Sequence, residues 1–142
     1  MANDIQIVPV ESPQKLEWRA IGGGLRTYNT RQAGDDSYQH VCFLLKDHEE
    51  SIVGGVIGAT YWGWLYIDLM WVKEDLRGQG YGRELLSLAE ETARERGASH
   101  AYLDTFTFQA PEFYRKLGYK VFGELKDFPP GYKRFFMTKA LV

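Results

Sequence analysis

The sequence predicts a single α/β (α+β) domain over residues 1–142, with a mixed, mostly antiparallel central sheet and helices on both faces. Three observations carry that expectation. Strand-like runs follow one another over short turns between Tyr38 and Val72, which makes antiparallel neighbours. A helical period takes over from Gly80 to Arg96 and yields to another strand-like run, which makes one β-α-β unit and one parallel pair. The chain has 142 residues, 44% of them hydrophobic and 25% charged, the length and balance of one globular domain.

The elements follow in order. Asp4 to Val10 reads as a short strand carrying Ile5, Ile7 and Val10. Ser12 as N-cap with Pro13 at the first helical position fits a helix start. Gly22-Gly23-Gly24 is expected to loosen that helix, since each glycine costs about 1 kcal/mol in a helix interior, and the polar stretch from Thr27 to Ser37 reads as a loop. Strands are expected at Tyr38 to Leu45, Ile52 to Tyr61 and Trp64 to Val72, with Asp47 to Ser51 and Gly63 in the turns. The helix from Gly80 to Arg96 puts Leu85, Leu88, Ala89 and Thr92 on one face, and Gly97 suits its C-terminal end. Ser99 to Thr105 reads as a strand and Ala110 to Leu117 as a short helix. Tyr119 to Leu125 and Tyr132 to Leu141 make a final pair of strands around Asp127 to Gly131.

Composition excludes several functions. Seventeen basic against 19 acidic residues give a net charge of -2, with no electrostatic footprint for nucleic acid or an anionic membrane. No apolar run reaches the roughly 20 residues of a membrane span. Met1-Ala2-Asn3-Asp4 shows no basic leader, so the cytoplasm is the expected location. The single cysteine, Cys42, rules out an internal disulfide and reads as a small core residue. His40, His48 and His100 lack metal-ligand spacing, so no metal is expected.

The chemistry points to the loop Arg77-Gly78-Gln79-Gly80-Tyr81-Gly82. It joins an apolar strand to an amphipathic helix, where unpaired amides and the helix dipole favour an anion. Gly80 and Gly82 would let a diphosphate approach the backbone, and Arg77 and Arg83 add positive charge. The Gly-Lys-Ser/Thr of a Walker loop is absent. A dinucleotide fingerprint would need glycine where Arg83 stands, and too little chain follows Asp104 for further β-α-β units.

The run Leu69 to Val72 followed by Leu76 to Leu86 resembles motif A of the GNAT family of N-acetyltransferases. Ala110-Pro111-Glu112-Phe113-Tyr114-Arg115-Lys116-Leu117-Gly118-Tyr119 resembles its motif B, and the element order matches the family fold. Thr107 stands where many members carry asparagine. The resemblance implies acetyl-CoA as co-substrate. Backbone at Met70, Trp71 and Val72 would pair with the pantetheine arm, and Gly78 through Gly82 would hold the pyrophosphate, with Arg77 and Arg83 beside it. The acyl group would enter a gap between splayed central strands near Phe106 to Gln109. The acceptor would be a small-molecule or peptide amine that attacks directly in a ternary complex, facing Trp18 to Tyr28 and Phe128 to Tyr132.

An alkyl amine has a pKa near 10.4 and must lose a proton before it attacks. Asp68, alone among apolar neighbours in its strand, is the candidate base; its alternative is a solvent-facing strand position. Tyr114 occupies the motif B position whose tyrosine protonates the departing thiolate; its alternative is core packing. Tyr61, Trp62, Trp64, Tyr66 and Trp71 either line an acceptor pocket or pack in the core or at a homodimer surface. A non-catalytic acyl-CoA-binding sensor or interaction module is the second functional reading.

Overall fold

A computed structural model describes residues 4–142. They fall into two compact units, one ending at Asp36 and one running from Ser37 to Val142. Met1 to Asn3, part of the leader reading, lie outside the described residues.

The first unit holds one helix, α1 (Lys15–Ala33). No strand forms over Asp4 to Val10, where Ile5 is 82% exposed and Ile7 100%. An alternating run without a ladder partner leaves its amides and carbonyls to water and stays irregular. The helix starts after Gln14, whose amide donates to Glu17 Oε1 at 3.3 Å, so Ser12 and Pro13 precede the cap. It passes through all three glycines and over the expected loop to Ala33, where Gly34 at φ 83° ends it. Arginine, glutamine and alanine in that last turn are good helix formers, and their propensity outweighs the polar look of the stretch.

The second unit follows the expected order closely. It comprises β1 (Gln39–Lys46), β2 (Ile52–Tyr61), β3 (Trp64–Val72), α2 (Tyr81–Glu95), β4 (His100–Phe106), α3 (Pro111–Lys116), β5 (Lys120–Lys126) and β6 (Lys133–Ala140). The six strands lie in the order β1-β2-β3-β4-β6-β5, and only β3 and β4 are parallel. Trp62 at φ 44° and Gly63 at φ 77° make the two-residue turn between β2 and β3, where both central residues need positive φ.

Helix α2 packs on β1, β2 and β3. Its buried residues are Leu85, Leu86, Ala89, Glu90 and Ala93, so the stripe is turned away from Leu88, which stays 37% exposed. The turn has a cause: a carboxylate sits in the stripe. Glu90 accepts from Tyr119 Oη at 2.8 Å and from Lys139 Nζ at 2.8 Å, and Arg94 Nη2 lies 3.8 Å away. A buried charge is tolerated when it is paired in this way.

Burial, and then the Glu90 carboxylate, push the Tyr119 hydroxyl far above the ordinary tyrosine value. The unfolded chain releases that proton near pH 10 while the folded chain keeps it. The stabilisation is therefore complete below about pH 10 and falls as pH rises further. Melting temperature is expected to drop between about pH 9 and about pH 11.5. Tyr119→Phe should lower the starting value and flatten the drop; an equal slope in wild type and variant would refute the assignment.

Two irregularities shape the middle of the sheet. Gly58 pairs with Ile67 and Ile57 pairs with Leu69, so Asp68 is an extra residue with no partner on β2. Such a bulge reverses the faces beyond it. Leu65 and Ile67 are buried, and then Met70 and Val72 pack on the core instead of Leu69 and Trp71, which are 61% and 52% exposed. The alternation that would put Leu69 on the side of Ile67 is broken at Asp68. In addition, β3 and β4 pair only from Trp64/His100 to Ile67/Leu103. Beyond that point the two strands run without pairing each other.

β2 is also crowded from outside. Gly58 lies so near the Tyr66 carbonyl that an added Cβ would overlap its oxygen.

Candidate active site

The loop after β3 begins with a short 3-10 turn, Glu74–Leu76, and continues through Arg77 to the start of α2. Gly78 at φ 77° and Gly80 at φ 90° turn it in the left-handed region, where glycine is free of strain. No atom lies within 4 Å of a Cβ placed on either, so both face open space. Gly82 differs: a Cβ there would meet Met70 and Phe113 side-chain carbons at 3.3 Å. It lets α2 start close against β3 and α3.

The first amide of this region to find a backbone acceptor is that of Glu84, on Gly80 O at 3.0 Å. The amides of Gly78 through Arg83 have no hydrogen-bond acceptor among the described residues. They form a positive array at the end of a 15-residue helix. Arg77 and Gln79 brace the loop with their side chains. Arg77 Nε donates to Val72 O at 2.9 Å and Gln79 Nε2 to Asp75 O at 3.3 Å. The Arg77 amide also donates, to Glu74 O at 3.2 Å, whereas the Gln79 amide stays in the unpaired array. Arg83 lines a cleft between α2 and α3 together with Lys116, Ser87, Gly118 and the paired Glu90 and Lys139. Lys116 went unremarked in the sequence because its partner basic residue lies 33 positions away, at Arg83. The array and the open glycines fit a diphosphate.

Met70 and Val72 turn their side chains to the core, while Trp71 is exposed. The β4-side edge of β3 at these residues has no strand partner, since the parallel ladder stops at Ile67. An extended ligand arm can pair there.

Asp68 and Asp104 are the first residues beyond that ladder on each strand. Asp68 is exposed, and the Tyr66 hydroxyl donates to its Oδ1 at 3.5 Å. Asp104 receives Arg134 Nε and Nη2 on one oxygen, Oδ1, at 2.9 and 2.7 Å. The Arg134 guanidinium lies 5.2 to 5.4 Å from the ring centres of Phe106, Phe128 and Phe136. Phe108 meets the ring of Tyr132 at 5.2 Å, so the β5–β6 loop is tied by its aromatics to the end of β4.

Tyr114 is 9% exposed, and its ring meets Phe113 at 5.2 Å and Tyr119 at 6.0 Å. Among the described residues its hydroxyl has no hydrogen-bond partner, yet no buried polar side-chain atom is unsatisfied. The ring is buried and the hydroxyl opens outward. Burial, followed by the Asp104 carboxylate, raises its pKa, which keeps it protonated at neutral pH.

The aromatic run is not core. Trp62, Trp64 and Trp71 are 42%, 37% and 52% exposed. Trp64 stacks on His100 at 4.7 Å and Tyr66 on Tyr102 at 4.8 Å, and the Tyr61 and Tyr102 hydroxyls hydrogen-bond to each other. Cys42, expected inside, is exposed because it pairs with Ile57 on this outer face. Gln109 closes the turn after β4, accepting from the Phe106 amide at 2.8 Å and from Thr105 Oγ1 at 3.2 Å. Thr107 Oγ1 accepts from the Lys133 amide at 3.1 Å.

Known proteins resemble this chain in sequence and fold. The profile of the acetyltransferase (GNAT) family matches residues 10–119. An acetyltransferase of Agrobacterium fabrum is 36% identical over 113 residues, 80% of this chain and 82% of its own length. The blasticidin-S acetyltransferase of Streptomyces morookaense is 40% identical over 91 residues, 63% of this chain and 67% of its own. The crystal structure of an acetyltransferase from Bacillus cereus matches with a TM-score of 0.82 at 36% identity, covering 94% of this chain and 97% of that one. On this profile match and these relatives, the chain belongs to the acetyltransferase (GNAT) family.

Proposed function

We propose that residues 1–142 form one cytoplasmic acetyltransferase domain that moves the acetyl group of acetyl-CoA to a primary amine. The acceptor is a small molecule or peptide, taken in a ternary complex. The observation that carries this reading is the unpaired amide array from Gly78 to Arg83, opening beside the end of the β3–β4 ladder. In this reading acetyl-CoA supplies the activated acyl group as a thioester. The array holds its diphosphate, Arg83 and Lys116 add charge in the neighbouring cleft, and the free β3 edge at Met70 to Val72 aligns its arm. Asp68 stands at the mouth of the gap and takes the amine proton, directly or through water. Tyr114 delivers a proton to the departing thiolate from its outward hydroxyl. The blasticidin-S relative is named for a small molecule, which supports a small acceptor here.

A binding module without catalysis would have no use for a protonated tyrosine hydroxyl aimed out of a buried ring. That feature favours an enzyme. Thiol release from acetyl-CoA across an amine panel tests the reading, with calorimetry for the co-substrate. The absence of both turnover and acetyl-CoA binding would sink it; binding without turnover would favour the module. Tyr114→Phe should lower kcat about 100-fold with the acetyl-CoA Kd unchanged. Unchanged turnover would remove Tyr114 from the mechanism.

A further inference from the structure

The outer face of the sheet carries a row of groups whose placement follows from register. On β4, Tyr102, Asp104 and Phe106 share this face. On β3, Tyr66 pairs with Tyr102, and Asp68 and Asp104 are the first residues on each strand beyond the point where the ladder stops. On β6, Phe136 pairs with Asp104 and Arg134 with Phe106. Asp104 therefore sits among rings, with its carboxylate 19% exposed.

The two carboxylates are held differently. Asp68 has only a 3.5 Å hydrogen bond from Tyr66. Asp104 is clamped through Oδ1 by two nitrogens of Arg134, and that guanidinium is flanked in turn by the rings of Phe106, Phe128 and Phe136. Clamping one oxygen fixes the direction of the other. Oδ2 accepts no hydrogen bond among the described residues and is not a buried unsatisfied atom, so it is open. A fixed carboxylate oxygen beside ring faces is a recognition group for a flat cation, through a charge-assisted hydrogen bond and cation-π contact. A loosely held, exposed carboxylate suits proton transfer.

We propose that the open oxygen of Asp104 binds a second cationic group of the acceptor, an amidinium or guanidinium, set apart from the amine that is acetylated, with Tyr66 and Phe106 as its aromatic walls. Arg134 is the positioning residue. This rests on the amine-acetylation reading above and names the class of acceptor: a cationic amine with two charged ends.

Binding tests the subsite independently of transfer. Calorimetry on the full chain, with and without CoA, compares benzamidine, benzamide and benzoate. Benzamidine should bind about 10-fold more tightly than benzamide, and benzoate more weakly than either. Asp104→Asn should erase the advantage of benzamidine, while Asp68→Asn should keep it. Equal binding of benzamidine and benzamide, no benzamidine binding, tighter benzoate, or an advantage that survives Asp104→Asn would each overturn the proposal. The comparison in the unaltered protein needs no variant to fold.

A kinetic arm compares 4-(aminomethyl)benzamidine with 4-methylbenzylamine as acceptors. The first should have the higher kcat/KM by about 10-fold or more, and Asp104→Asn should remove the difference through KM. If both amines are acetylated equally, the subsite is wrong and the acetylation reading stands. If benzamidine binds as expected and neither amine is acetylated, the subsite stands and the acetylation reading falls.

Discussion

Gly58→Ala is expected to be among the most damaging single-methyl changes in this protein, costing about 3 kcal/mol or more. The new Cβ would overlap the carbonyl oxygen of Tyr66, which is backbone and cannot swing aside. Relief requires β2 and β3 to separate at the Gly58/Ile67 pair, one residue from the Asp68 bulge. Separation there disturbs Val56, Leu65 and Ile67, which are 0%, 0% and 3% exposed. For a chain of this size the loss corresponds to a fall in melting temperature of roughly 10 °C. A melt within about 2 °C of wild type would mean that the strands part at little cost, and the tight contact would lose its significance. Gly63→Ala is a useful comparison, since nothing lies within 4 Å of its Cβ and only its φ of 77° opposes the change. It should cost about 1 kcal/mol.

The second large effect concerns affinity. Gly80→Val should raise the Kd for acetyl-CoA about 100-fold or more, equivalent to about 2.7 kcal/mol. The position has open space around it, so the folded protein has room for the side chain. Two physical costs fall on binding instead. A β-branched residue resists φ 90°, so the amides of the array lose their common direction. The side chain also occupies the volume through which a diphosphate must come to reach them. Gly82→Ala separates this effect from mere crowding: its Cβ would touch the far ends of Met70 and Phe113, which can shift. A Gly80→Val protein that folds and binds acetyl-CoA as tightly as wild type would rule out the loop as the diphosphate cradle.

The legible parts of this protein were those encoded locally. Turn residues such as Gly63 and Gly97, and the change of period after Val72, are signals within a few positions. Accordingly β2 and β3 begin and end where expected, and α2 differs by one residue at each end. The glycine loop was legible for the same reason. What escaped depends on distant partners. Asp68 looked like a polar exception in an apolar strand, whereas it is the residue that shifts the alternation and turns Trp71 outward. Glu90 carries no local signal of burial because its partners Tyr119 and Lys139 lie 29 and 49 residues on. Arg134 and Asp104, separated by 30 positions, meet only when β6 pairs with β4. The run from Asp4 to Val10 failed in the opposite sense. Its alternation was real, but a strand is defined by its neighbours, and none pairs with it.

The short parallel ladder has a mechanical meaning. Strands β1, β2 and β3 form one antiparallel half of the sheet and β4, β6 and β5 the other, and four residue pairs join them along one side of β3. Helix α2 packs on the first half, and with it goes the glycine loop, while Glu90 and Arg94 tie the helix across to Tyr119, Lys139 and Leu141. Asp104 and Arg134 belong to the second. The unit from Ser37 to Val142 is thus built like a clasp: its seam is the run from Trp64 to Ile67, its halves part at Asp68 and Asp104, one half carries the glycine loop and the other the Asp104–Arg134 pair, and the α2 ties hold them at a set width. Side chains at the seam, the stacked Tyr66 and Tyr102 above all, together with the Glu90 and Arg94 ties, therefore set how far apart the two halves stand.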